Sequence, residues 1–207
     1  MTQPRRPMLP ILLLLFSTAA IPSIGCGGGG SDDGGVVNPG LTAVFSESAL
    51  VELGNRVKLL QGSASGANVT TQVVLFGPST SSDIYSWAFD VVISNPAVVE
   101  FVAASATAGT TLVACPGNNL ALQANQQTAG GVTSVVVGVT KLGNCPGNGV
   151  PAGSNVVVSL TFRVKATGSS TLTFGGVGGP RALDSNLATI GSIEFDGGAA
   201  TLQGVQQ

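Results

Sequence analysis

The sequence predicts an all-β sandwich, and three observations carry that expectation. Short segments alternate apolar and polar residues with period two, Gly, Pro and Asn clusters separate them, and no window of about 11 residues shows helical spacing. The composition agrees. Of 207 residues 43% are hydrophobic and only 9% charged, with 30 Gly and no His. Low charge with many β-branched residues fits a β-rich exported domain better than a helical cytosolic one.

Taken in order, Leu41–Phe45 and Val57–Gln61 read as short strands, and Val69–Phe76 as a third before the loop Gly77–Ser82. From Asp83 to Ala104 the pattern is firmer. Tyr85, Trp87, Phe89, Val91 and Ile93 fall on one side of an extended segment, with Ser86, Ala88, Asp90 and Ser94 on the other. That is the signature of a half-buried strand. Asn95-Pro96 breaks the run, and Val98–Val102 begins the next. Leu120–Ala124 is a further short strand. Val132–Leu142 sets Val135, Val137 and Val139 on one side, and Ser134, Val136 and Thr140 on the other. Asn155–Lys165 alternates most clearly, with Val156, Val158, Leu160, Phe162 and Val164 opposite Thr161, Arg163 and Lys165. Ser170–Phe174 and Ala199–Leu202 complete the set. Residues 41–207 form one domain by size.

Residues 1–25 read as an export signal. Arg5 and Arg6 precede an apolar run, Met8–Ile21, that is too short for a transmembrane helix of roughly 20 residues. Ser23-Ile24-Gly25-Cys26 resembles the lipobox of bacterial lipoproteins, in which the Cys becomes the lipidated first residue. Ser23 stands where that motif prefers Leu, Val or Ile, and an ordinary signal peptidase would also accept Ser23-x-Gly25. Cysteine arithmetic favours lipidation, because using Cys26 leaves Cys115 and Cys145 as an even pair for an oxidising compartment. The expected location is therefore the bacterial cell envelope, at the outer membrane or cell surface, with the lipid on Cys26 as the membrane contact. Residues 26–40 are rich in Gly and Ser and read as a tether spanning roughly 20 Å. Removing Arg5 and Arg6 takes the net charge from −2 to about −4. Nothing in this scattered charge suggests a nucleic-acid surface.

Three motifs, in order along residues 57–202, resemble the cohesin domain family. Tyr85-Ser86-Trp87-Ala88-Phe89-Asp90 followed by Asn95-Pro96-Ala97-Val98-Val99 is similar to that family's aromatic-Gly-x-x-Phe-Asp strand and Asp-Pro-x-Val-Leu turn. Leu160-Thr161-Phe162-Arg163-Val164-Lys165 is similar to its Leu-x-Phe-x-Val-Lys strand, and Ala182-Leu183-Asp184-Ser185-Asn186 resembles its late Leu-x-Asp-Ser-x-Gly turn. Ser86 replaces a common Gly, and the turn at Asn95 lacks the family's Asp. The resemblance implies a jelly-roll sandwich of about nine strands that docks a calcium-binding dockerin module on one sheet face and is not an enzyme.

Elimination agrees with a non-catalytic reading. Without His, neither a Ser-His-Asp nor a Cys-His arrangement is available, nor a Cys/His zinc site. Ten acids are present but none sits in a recognisable acid/base motif, although Asp90 and Glu100 on adjacent predicted strands are candidates to approach each other. Asp32, Asp33, Asp184 and Asp196 form no EF-hand loop, so no metal or cofactor is expected. Cys115 and Cys145 lie in turn contexts, Cys-Pro-Gly-Asn, and bridging them would stabilise by about 3.5 kcal/mol in the chain-entropy model. The expected docking face takes Ala88, Asp90, Val92, Ser134, Val136, Thr140, Thr161, Arg163 and Lys165 from one sheet, by analogy with cohesins. The partner would be a dockerin-bearing or other secreted protein. The competing readings are a polysaccharide-binding module, with Trp87 and Tyr85 as sugar contacts, and a structural or adhesive envelope domain.

Overall fold

Period-two alternation with interruptions at Gly, Pro and Asn folds here into two stacked, mostly antiparallel sheets. The computed structural model describes residues 40–49, 54–176 and 179–207. The signal segment, Cys26, Asp32, Asp33 and the tether up to Pro39 lie outside the described residues. Strands appear in the order β1 (Leu41–Ser46), β2 (Arg56–Ser65), β3 (Asn68–Gly77), β4 (Ser86–Ile93), β5 (Val99–Phe101), β6 (Thr107–Ala108) and β7 (Leu120–Ala129). They continue with β8 (Val132–Lys141), β9 (Gly153–Val164), β10 (Gly168–Gly175), β11 (Arg181–Leu183), β12 (Glu194–Phe195) and β13 (Ala200–Gln206).

The larger sheet has the order β1-β13-β10-β4-β8-β7, with β11 also paired to β4. The smaller has β12-β2-β3-β9-β5, with β6 also on β9. The chain crosses repeatedly from one sheet to the other, the winding of a jelly roll. Apolar residues on the facing sides make one core. Trp87, Phe89, Val91, Val135, Val137 and Val139 of the larger sheet meet Val57, Leu59, Val73, Leu75, Leu160 and Phe162 of the smaller. Phe195 of β12 reaches between the layers. Its ring lies edge-on to Phe174 at 5.2 Å and to Trp87 at 6.3 Å, and tilted against Phe89 at 5.8 Å. Edge-to-face pairs of this kind add to what area burial alone supplies.

The all-β sandwich expectation holds, with thirteen strands in place of about nine. The additional strands β6, β11 and β12 have two or three residues each, too few to show alternation. Two side assignments change. Val156 is not a core residue, because the register of β3 against β9 slips between Val73 and Val74 and leaves Val157 as an extra residue. Such a bulge reverses facing beyond it; Val157 is 2% exposed and Val156 half-buried. Tyr85 is likewise half-buried, while its neighbour Ile84 is fully buried, so the alternation of β4 does not extend through Tyr85.

Candidate functional site

The outward side chains of the larger sheet make a broad face. In register across β11, β4, β8 and β7 lie Arg181, Ala88, Gly138 and Gln123. The next row holds Asp90, Val136 and Asn125, with Gly175 of β10 beside Asp90. After it come Thr173, Val92, Ser134 and Gln127. Small residues and amides dominate, and the charged side chains on these strands' outward positions are Asp90 and Arg181.

Because Ala88, Gly138 and Ala121 carry little or no side chain, the surface dips there. A depression of about 510 Å³ opens over Ala88, Ala121, Gln123, Gly138 and Thr140. Beside it, about 160 Å³ is bounded by Asp90, Val136, Gly176 and Arg181, and a further 320 Å³ by Asp90, Val92, Gln127 and Ser134. The Asp90 carboxylate is shared by the last two. It accepts a hydrogen bond from Ser134 Oγ at 3.3 Å and lies against Gly176, where a Cβ would come within 2.6 Å of Asp90 Cγ. Gly176 has φ +110, a conformation that also favours Gly.

Sequence reasoning assembled Asp90, Val92, Ser134, Val136, Thr140, Thr161, Arg163 and Lys165 as one face. The first five do share the larger sheet's outer side. Thr161 and Arg163 do not, because β9 belongs to the smaller sheet, and Lys165, immediately after β9, is paired on that side too. Strand alternation reports which side a residue takes, not which sheet its strand joins. For the same reason Asp90 and Glu100 do not approach each other: β4 and β5 lie in different sheets. Glu100 instead pairs with Arg163, whose Nε donates at 2.9 Å, and with Lys165 Nζ at 3.5 Å. The Arg163 hydrogen bonds hold the Glu100 carboxyl below its usual range, with attraction to Arg163 and Lys165 adding to them.

Trp87 is fully buried and Tyr85 stands at the sheet end, so neither forms a sugar platform on the face. The Tyr85 hydroxyl donates to Gly143 O at 2.5 Å, at the margin of a cleft of about 400 Å³ that Cys145, Pro146 and Leu187 also line.

That end of the sandwich is cross-tied through Asp83 and Lys141, neither of which the sequence marked as a site. One Asp83 carboxylate oxygen accepts from Gly147 N at 2.6 Å. The other accepts from Ser185 Oγ at 2.7 Å and Ser185 N at 3.2 Å. Lys141, 5% exposed, donates from Nζ to Pro146 O at 2.6 Å and to Asn148 Oδ1 at 3.0 Å. Cys115 and Cys145 are joined in a disulfide across 30 residues, as their turn contexts suggested. The Ser185 hydroxyl first, then Gly147 N–H, holds the Asp83 carboxyl below its ordinary value of 3.8, with Lys141 contributing. A carboxylate with a depressed folded pKa stabilises the fold above its unfolded pKa and ceases to as pH falls through the folded one. Asp83→Asn is therefore expected to melt below the parent at pH 7. The gap should narrow as pH falls below 3.8, which paired thermal melts across that range will show.

Among the described residues no group of three or more Cys, Asp or Glu side chains converges as a metal site would require. No helix among them is long and apolar enough to cross a membrane. No family model matches the chain, and no curated protein matches it. Several solved structures are similar to it in shape. One is the sixth cohesin of scaffoldin B from Acetivibrio cellulolyticus in complex with a Cel5 dockerin mutant (21% identity, TM-score 0.44, over 70% of this chain and 94% of that one). A second is a type II cohesin domain from the cellulosome of the same organism (18%, TM-score 0.45, 70% and 92%). A third is the cohesin module of a family 33 glycoside hydrolase from Clostridium perfringens (11%, TM-score 0.41, 81% and 96%). All three are cohesin modules, the family that the sequence motifs resemble.

Proposed function

We propose that this chain is a non-catalytic docking module, exported and held at the bacterial cell envelope by a lipid on Cys26, that binds a secreted protein on the outer face of the larger sheet. The observation that carries the reading is that face. It is broad and nearly uncharged, built of small residues and amides, and dips in three adjoining places around Ala88, Val136 and Asp90. Protein–protein interfaces are likewise depleted in charge at their centres. The dockerin type of the partner follows from the sequence motifs. A carbohydrate reading finds little support, because Trp87, Phe89 and Phe174 of this sheet all turn inward to pack on Phe195.

Val136→Arg sets a desolvated cation at the centre of the face, where the partner would have to bury it. Uncompensated buried charge at an interface costs on the order of 2–5 kcal/mol, so capture should fall at least about 30-fold. Thr161→Arg, on the opposite sheet, should leave capture intact. The measurement is affinity capture from the organism's secreted proteins, with and without chelator. Calcium-dependent recovery of a protein with paired Asp-x-Asn-x-Asp-Gly loops supports the proposal. Recovery that Thr161→Arg abolishes and Val136→Arg spares would move the site to the other sheet.

A further inference from the structure

Strand β7 is an open sheet edge of unusual character. It pairs with β8 through ten consecutive positions without a register shift, and among the described residues no strand pairs with its other side. Exposed edges are normally blunted by shortness, Pro, charge or a bulge. The smaller sheet follows that rule, since its edges are β12, β5 and β6, of two or three residues each. β7, with the sequence LALQANQQTA, has ten residues and neither charge, Pro nor bulge. The hairpin tip beside it, Gly130-Gly131, has both φ positive and open space around both Cα atoms. Among the described residues no heavy atom beyond their chain neighbours would meet a Cβ at either glycine.

The outward residues of β7 are Ala121, Gln123, Asn125, Gln127 and Ala129, and they read the same in both directions. A second β7 laid antiparallel about a two-fold axis at Asn125 would set Ala121 against Ala129, Gln123 against Gln127, and Asn125 against itself. A primary amide both donates and accepts, so each Gln and Asn can bond its own kind across the axis. Slipping the register by one residue would turn the core side of one copy outward. Slipping it by two would set Gln123 against Asn125 and Ala121 against Gln127, losing the match.

We infer that two copies of this chain join edge to edge through β7, with the two-fold axis at Asn125, so that their larger sheets become one continuous sheet. This is independent of what the face binds. It would set two copies of that face side by side and pointing the same way, so that a partner carrying two docking modules gains from effective concentration.

The test uses the full chain carrying Cys26→Ser, which removes the unpaired thiol, in mild detergent so that the apolar N-terminus does not drive association. In that background Asn125→Cys should form a covalent dimer on mild oxidation, since directly opposed Cα atoms lie about 4.5–5.5 Å apart. Gln123→Cys alone should not, being offset by four residues from its copy, about 13 Å along the strand. A mixture of Gln123→Cys and Gln127→Cys chains should cross-link. Asn125→Lys sets like charges opposite each other and should weaken the dimer on the order of tenfold or more in sedimentation equilibrium. At concentrations where both chains are monomeric its melting curve should match the parent's. A chain that sediments as a monomer throughout, including one that takes up an extended peptide at this edge, would overturn the inference. So would a dimer indifferent to Asn125→Lys, or one that cross-links equally through positions 123 and 125.

Discussion

Trp87→Ala is expected to destabilise the domain by about 3–5 kcal/mol, the range for truncating a large buried aromatic. The indole is fully buried between the sheets, at 6.3 Å edge-to-face from Phe195. Phe195 also contacts Phe89 and Phe174, so the cavity would open beside a cluster whose members hold one another in place. Collapse into it would require β12 to shift with its ring. For a domain of this size the loss corresponds to a fall in Tm of roughly 6–20 °C. Trp87→Phe provides the internal comparison. Trp87 Nε1 has no hydrogen-bond partner among the described residues, so Phe removes an unsatisfied donor along with part of the volume. Its loss should be well under half that of Ala. Urea melts followed by far-UV circular dichroism suit both variants, because this is the chain's single Trp and fluorescence disappears with it. An Ala variant within about 1 kcal/mol of the parent would exclude a packed indole.

Removing the disulfide should cost a similar amount for a different reason. Cys115 precedes β7 and Cys145 follows β8, so the bridge clasps the open end of the ten-residue hairpin. Its effect in the chain-entropy model is to deny the unfolded chain a loop of 30 residues, worth about 3.5 kcal/mol. Cys115 is 3% exposed, so Ala is the suitable replacement, and both Cys should be exchanged together to avoid a stray thiol. The double variant should lose about 2–4 kcal/mol, and reductant should lower the parent by a like amount while leaving the variant unmoved. If reductant shifts both equally, the stabilisation lies elsewhere.

How much of this was legible beforehand depended on whether the determining contacts were local. Trp87, Phe89, Val91 and Ile93 pointed inward as their alternation said, because a strand's own pleat settles that. The Cys pair could be matched by counting and by its turn contexts. The face was only partly legible. Asp90, Ser134 and Val136 came together because β4 and β8 are neighbours, but nothing within Asn155–Lys165 reveals that it pairs with β3 in the other layer. Arg163 was therefore assigned to the same face as Asp90, when its partner is Glu100, 63 positions away through the pairing of β5 with β9. Val156 was misplaced by one inserted residue, Val157, which alternation cannot foresee. The ties made by Asp83 were invisible for a related reason: Ser185 lies 102 positions away.

The pairing of β1 with β13 reaches further still. Leu41 lies opposite Gln206, and Ser46 opposite Thr201, so the first and last described strands complete each other. Contacts that span nearly a whole domain form late and slowly, typically over milliseconds to seconds in all-β folds. The edge of the larger sheet thus cannot close while residues 200–206 are still being synthesised. A nascent chain therefore keeps β1 unpaired until its far end emerges. Arrival of that last strand marks the moment at which the domain can lock.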